Sequence, residues 1–305
     1  MELMRASPIN YFNTHIIPLD FEYFEPRTLK EVLDLLDKLR DKAAILAGGT
    51  DLLVQMKIRR KTPKYLINIK KIPDLTFIKV EEGGLRIGAA TKLRSIEKSN
   101  VVRDTYVALY EAIKSMGSVQ IRNMGTIGGN LCNASPAADT APPLLVYEAK
   151  LRIVSLRGER LVPINKFFKG PGRTVMEPNE LLTEIIIPKP PKNSGASFIK
   201  IARTSMDLAK VNVAVLLKLK NSSRTIDDVK IALGAVAPTP MRAYAAEEYL
   251  RGKEFNEDTL RRAGEIASME IKPITDIRST AWYRREVTKI IVKDALERAF
   301  NMLRR

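Results

Sequence analysis

From Phe21 onward, apolar residues recur with two periods, and the switches between those periods mark out units along the chain. Phe21 to Phe24 predicts a short opening strand. Thr28 followed by Glu31 is a capping-box pattern, and Leu29, Val32, Leu33, Leu36 and Leu39 then recur at helical spacing on one face. Ala44 to Leu46 predicts a strand, Leu52 to Lys57 a helix and Tyr65 to Ile69 a further strand. Residues 17–72 therefore read as a β-α-β-α-β unit whose order favours parallel pairing.

Residues 73–188 follow a different rhythm. Thr76 to Val80 and Leu85 to Ala89 flank Glu81-Glu82-Gly83-Gly84, a hairpin signal. Helical spacing runs through Ile96 and again from about Val107 to Met116. Lys150 to Leu156 and Arg160 to Ile164 flank Arg157-Gly158-Glu159 as a second hairpin, and Leu181 to Ile187 is a strand stopped by Pro188. This is an α+β unit with mostly antiparallel strands. The breakers from Pro188 to Gly195 form a linker.

Residues 196–305 predict strands at Ser197 to Arg203, Val211 to Lys220 and Asp228 to Val236, with Pro238 and Pro240 ending the sheet. Val211, Val213, Val215, Leu217 and Leu219 alternate, so one face of the middle strand is expected to be buried. Helices follow near Arg242 to Arg251, Glu257 to Met269 and Thr280 to Leu303. The last carries Val287, Ile290, Ile291, Leu296, Phe300 and Leu303 as a core stripe. Residues 1–16 have no period and read as a leader.

Two segments fit neither period. Ala44 to Leu53, AILAGGTDLL, is a strand, a tight Gly48-Gly49-Thr50 turn and a helix start, an arrangement that suits a phosphate. Ile121 to Glu148 crowds Gly125, Gly128, Gly129, Asn130, Asn133, Ser135 and Asp139 together, too many small and polar residues for a buried helix or strand. It is expected to be a glycine loop whose backbone a ligand can approach closely, or else a plain surface loop. Neither segment carries the Lys-Ser/Thr of a Walker loop or the Gly-x-Gly-x-x-Gly of a dinucleotide fold. Two such loops suit a ligand with two phosphates gripped between subdomains.

AGGTDL at Ala47 to Leu52, TIGGN at Thr126 to Asn130 and SPAAD at Ser135 to Asp139 together resemble the FAD-binding (medium) subunit of molybdenum hydroxylases, the xanthine dehydrogenase and carbon monoxide dehydrogenase family. The resemblance runs from about Ile17 to the C-terminus. It implies an α+β fold: two N-terminal α/β subdomains of the PCMH type holding FAD between them, plus a C-terminal three-stranded antiparallel sheet on a helical bundle. By that resemblance Ile45, Leu46, Ala47, Gly48, Gly49, Thr50, Asp51 and Leu52 wrap the FAD diphosphate from one side. Thr126, Ile127, Gly128, Gly129 and Asn130 do so from the other. Asp139 matches an aspartate that contacts the cofactor, with a cap on a helix over Thr140 to Tyr147 as the lesser alternative. Leu182 and Lys200 match positions near the flavin rings. The implied partners are a small iron–sulfur subunit and a large molybdopterin subunit, which carry the metal centres, in a dimer of heterotrimers.

Composition narrows the alternatives. The 305 residues carry a net charge of +16, but the basic residues are dispersed and no nucleic-acid module is visible. A solvated basic surface, or docking on acidic partner subunits, fits better than nucleic acid. The one histidine, His15, lies in the leader, which removes histidine triads and zinc sites from the body. The one cysteine, Cys132, cannot hold an iron–sulfur cluster and reads as a small filler side chain. No membrane span or signal pattern is present, so a cytoplasmic protein is expected. Few Gln beside many Lys, Glu and Ile is a thermophile's usage. No residue stands out as a general acid, base or nucleophile, which leaves the chemistry to the flavin. The reading is an electron-transfer subunit, with a stand-alone FAD oxidase or reductase, or a basic scaffold protein, as alternatives.

Overall fold

The computed structural model describes residues 17, 20–220 and 223–303; the leader and His15 lie outside them. The first unit comprises β1 (Glu22–Phe24), α1 (Leu29–Leu39), β2 (Ala43–Leu46), α2 (Leu52–Lys57) and β3 (Tyr65–Asn68). Its strands pair in parallel in the order β1-β3-β2. The Thr28 hydroxyl accepts from the Glu31 N–H at 3.2 Å, while Glu31 reaches back one residue further than a standard box, to the Arg27 N–H at 2.9 Å. Val32, Leu33 and Leu36 of α1 pack on Ile67 and Ile69. Met56 of α2 covers the other face against Leu46 and Leu66.

The second unit opens with the hairpin β4 (Ile78–Glu81) and β5 (Gly84–Gly88). Six short helices follow: α3 (Leu93–Glu97), α4 (Asn100–Thr105), α5 (Val107–Lys114), α6 (Val119–Met124), α7 (Ile127–Cys132) and α8 (Ala141–Val146). Then come β6 (Lys150–Ser155), β7 (Gly158–Pro163), the small pair β8 (Phe168–Gly170) and β9 (Arg173–Thr174), and β10 (Leu181–Pro188). Five of these strands form an antiparallel sheet in the order β4-β5-β10-β6-β7. The Lys150–Ser155 hairpin turns through Leu156-Arg157, one position earlier than the glycine suggests, with Ser155 opposite Gly158.

The third unit is β11 (Ser194–Ile201), β12 (Val211–Leu219), β13 (Ile226–Gly234) and β14 (Met241–Arg242), antiparallel in that order. Helices α9 (Tyr244–Leu250), α10 (Glu257–Glu270) and α11 (Ala281–Met302) follow. The three expected strands are joined by β14, because Met241 and Arg242 return to the sheet edge just after the Pro238–Pro240 turn.

Two expectations change here. The middle strand is buried on both faces, not one. Val211, Val213, Val215 and Leu217 face the bundle with Ala263, Ile291, Leu296 and Phe300, while Ala214 and Leu216 face the second unit with Leu109, Leu144 and Phe198. Alternating small and large residues let β12 serve two cores. Ile290, in contrast, is exposed on α11, since the bundle covers only the stripe through Ile291, Ala295 and Ala299.

Candidate functional site

The strand β2 ends where its parallel partner does, and the chain must leave the sheet sharply to begin α2. Gly49 makes that turn at φ +75°, in the left-handed region where a side chain is strained. Gly48 is small for another reason: a Cβ there would lie 2.7 Å from the Gly125 Cα and closer still to the Met124 carbonyl oxygen. Among the described residues, the N–H groups of Gly48, Gly49, Thr50 and Asp51 meet no main-chain acceptor, leaving a run of four donors at the turn. The two glycine segments, separated by 75 residues of chain, are therefore packed backbone against backbone. Gln55 Nε2 adds a second bridge, donating to Asn133 Oδ1 at 3.3 Å.

The second segment is not the open glycine loop that its composition suggested. Residues 127–132 form the single-turn helix α7, capped by Thr126, whose hydroxyl accepts from the Gly129 N–H at 3.0 Å. Ile127 and Leu131 are fully buried, and this burial offsets the cost of about 1 kcal/mol per helical glycine. Gly128 is small because a Cβ would come within 2.6 Å of the Ala89 carbonyl oxygen. Its N–H donates to that oxygen at 2.9 Å, Ile127 donates to the Thr91 carbonyl at 3.1 Å, and Asn130 donates to the Thr126 carbonyl at 3.0 Å. Among the described residues, the Gly48 turn presents a run of four N–H groups without a main-chain acceptor, whereas in Thr126 to Asn130 all but the Thr126 N–H are taken.

Asn130 leads toward Asp139. Its side-chain oxygen accepts from the Thr140 hydroxyl at 2.6 Å. Asp139 does not cap α8; the N-cap there is Thr140, and no side chain bonds the first turn. Instead Asp139, 3 % exposed, accepts from Lys200 Nζ on one oxygen and Asn212 Nδ2 on the other, both at 2.7 Å. Burial pushes this carboxyl up, and the Lys200 ammonium and the Asn212 amide pull it partly back. Lys200 is no exposed strand charge: its side chain is 7 % exposed, and Nζ also reaches the Ser115 carbonyl at 3.3 Å.

Lys200 lines an open cleft of about 660 Å³ between α5, α6 and the end of β11. Lys114, Arg122 and Arg203 are its other charged walls, with Ser115, Ser118, Thr204 and Ser205 beside them and no acidic side chain. Three of these four cations are paired with acids outside the lining, Lys200 with Asp139, Arg122 with Glu97 and Arg203 with Asp207, so much of the positive charge is compensated. Arg122 is fixed from behind by Glu97 at 2.8 Å and by the Met116 carbonyl at 2.8 Å. The six residues of α6 join the two places: Val119 borders the cleft and Met124 abuts the Gly48 turn, about 7.5 Å of helix axis apart. Val119, Ile121 and Met124 are exposed along it.

Leu182 is not among the cleft's walls. It lies opposite Ile153 in the sheet and is buried in the core with Ile87 and Phe198. Ile45 and Leu46 belong to the β2 ladder, paired with Ile67 and Asn68. Cys132 lies at an exposed position of the chain, with its sulfur 3.8 Å from that of Met176. Asn212, Arg122 and Ser115 went unnoticed in the sequence, because each is a common residue in an ordinary strand or helix. A polar Asn between Val211 and Val213 was the one available signal. A smaller cleft of about 380 Å³ holds Glu184 with Arg86, Arg152 and Glu159, a network whose charges pair with one another. Among the described residues no group of three or more His, Cys, Asp or Glu side chains could hold a metal, and no helix is long and apolar enough to cross a membrane.

The Gly48 turn offers main-chain donors of the kind that suit a phosphate, and the Lys200 cleft offers a second polar surface. Known proteins show the same pattern of units. Residues 19–190 match the family described as FAD binding domain in molybdopterin dehydrogenase, and residues 196–299 match CO dehydrogenase flavoprotein C-terminal domain. The chain is 34% identical over 280 residues to the glyceraldehyde dehydrogenase medium chain of Sulfolobus acidocaldarius, covering 92% of this chain and 98% of that one. It is 34% identical over 280 residues to the xanthine dehydrogenase FAD-binding subunit of Escherichia coli O157:H7, covering 91% and 95%. A solved carbon monoxide dehydrogenase from Hydrogenophaga pseudoflava superposes with a TM-score of 0.90 at 36% identity, over 94% of this chain and 99% of that one. The chain belongs to the family of FAD-binding medium subunits of molybdenum hydroxylases.

Proposed function

We propose that this chain is the flavin-carrying electron-transfer subunit of a multi-subunit molybdenum hydroxylase. In this reading the Gly48 turn, from Ile45 to Leu52, takes the FAD diphosphate on its four free N–H groups. The Thr126 to Asn130 helix forms the opposite wall, and Lys200 faces the flavin ring end in the basic cleft. FAD held here would supply one- and two-electron redox chemistry. The chain's own residues bind it, orient it and surround its ring with fixed charge.

In such an assembly a molybdenum centre in a large subunit and iron–sulfur clusters in a small subunit would be the electron source, and a final acceptor the sink. A cytoplasmic dimer of heterotrimers is the assembly this reading entails. The observation that carries it is the contact of the two glycine segments beside a cleft with no acidic wall. Chain incubated with FAD and then freed of unbound cofactor by gel filtration should retain an absorption band at about 450 nm, the flavin's own. It should oxidise no aldehyde or heterocycle until the small and large subunits are added. Failure to bind FAD sinks the reading, and substrate oxidation by the pure chain would replace it with that of a stand-alone flavoenzyme.

A further inference from the structure

The Lys200–Asp139–Asn212 group is built with more support than an ordinary ion pair. Asp139 sits on the segment between α7 and α8, Lys200 on β11, and Asn212 on β12 directly opposite Lys200 in the sheet register. Asn212 is fully buried, and among the described residues its Oδ1 has no hydrogen-bond partner, an arrangement that costs stability. That oxygen lies against Gly234, where a Cβ would overlap it. The flanking backbone is also held in unusual conformations: Ala134 has φ +47° and Ala235 φ +63°. The Ala235 N–H donates to the Pro136 carbonyl at 2.7 Å, and Arg284 holds the Ala235 carbonyl from the other side. Strain of this kind persists where the surroundings over-determine a position, and it clusters at functional sites.

Both Asp139 oxygens are engaged, and neither Asp139 nor Asn212 lines the cleft. Only Lys200 reaches it. Resting on the flavin reading above, we propose that Asp139 and Asn212 are positioning residues that hold the Lys200 ammonium at the cleft wall, so that Asp139 acts on the cofactor through Lys200 and does not touch it. Asn212 orients the carboxylate by its amide N–H, Asp139 fixes the lysine by a charged hydrogen bond, and the Ser115 carbonyl takes a second lysine donor. A cation so placed stabilises an electron-rich flavin ring, so it bears on the ring's potential as well as on affinity.

The test is a double-mutant cycle on the full chain titrated with FAD, with Lys200→Met, Asp139→Asn and the two combined. Lys200→Met and Asp139→Asn should each weaken FAD binding about tenfold, the scale of one charged hydrogen bond. Both should lower the flavin midpoint potential, a readout that a loss of mere structural support leaves alone. The double variant should match the weaker single variant within about twofold, because only one path to the cofactor is removed. It contains no buried unpaired charge, so it remains measurable if Lys200→Met fails to fold, and equal affinity of Asp139→Asn and the double variant is then the supporting result. Asn212→Ala should give the same potential shift in smaller measure. Additive losses in the double variant, or an unchanged potential in Asp139→Asn, would overturn the proposal. Wild-type chain that binds no FAD would instead overturn the flavin reading on which it rests.

Discussion

Gly48 and Met124 touch through their backbones, with no room for a Cβ between the Gly48 Cα and the Met124 carbonyl oxygen. This contact closes the first unit onto the second at the point where four donors of the Gly48 turn remain free. Gly48→Ala must push main chain against main chain, which no rotamer change relieves. The expected product is folded protein with little or no bound flavin, measured as absorbance at about 450 nm per chain. Gly49→Val should behave alike for a different reason, since φ +75° strains a β-branched residue by about 1–3 kcal/mol. Full flavin occupancy in Gly48→Ala would show that this closure is irrelevant to binding.

Thr126 caps α7 through the Gly129 N–H. Thr126→Ala should cost about 1 kcal/mol of stability, and Thr126→Ser very little, because serine keeps the accepting oxygen. Thermal unfolding of the apo chain checks the first number. If the alanine variant melts with the wild type, the cap contributes nothing here.

Glu184 is buried in the second sheet between Arg86 and Arg152. Burial alone would raise its carboxyl, but hydrogen bonds from the two arginines outweigh burial and hold it below its ordinary value of 4.5. A lowered carboxyl stabilises the fold at neutral pH and loses that contribution as pH falls below about 4.5. Glu184→Gln should therefore cost about 1–3 kcal/mol at pH 7 and flatten the loss of stability on acidification. Parallel acid-unfolding curves for wild type and variant would contradict this.

Gly264 marks the crossing of α10 on α11, where a Cβ would lie 3.0 Å from the Lys289 carbonyl carbon and closer to its oxygen. Alanine in place of an exposed helical glycine would gain about 1 kcal/mol. Here the overlap is with backbone, and overpacking of this kind costs about 1–3 kcal/mol. Gly264→Ala is expected to destabilise the chain in denaturant titration. A higher midpoint would mean that the helices separate at small cost.

Most element types follow from local pattern. The spacing of Leu29, Val32, Leu33 and Leu36 dictates α1, whereas the expected linker from Pro188 to Gly195 shrinks to residues 189–193, because Pro188 and Gly195 pair in their sheets. The motifs AGGTDL, TIGGN and SPAAD identify the family for a related reason: a turn or a close backbone approach tolerates few residue types. Pattern misjudged the Ile121–Glu148 stretch, where composition argued against helix. Local propensity is weak beside the burial of Ile127 and Leu131 and the Thr126 cap.

By itself the sequence determined the order of most strands and helices, the absence of a second cysteine or of a histidine after His15, and a flavin-subunit family. Tertiary structure alone decided which polar atoms are free. The N–H groups of Gly128 and Gly129 look as available in the sequence as those of Gly48 and Gly49, yet Ala89 and Thr126 consume them. It likewise decided that β12 is buried twice, that Lys200 points into a cleft, and that Asp139 meets Asn212 across 73 residues. Hydrogen-bond satisfaction and two-sided burial depend on what distant segments bring to a residue, and a one-dimensional pattern carries no record of that.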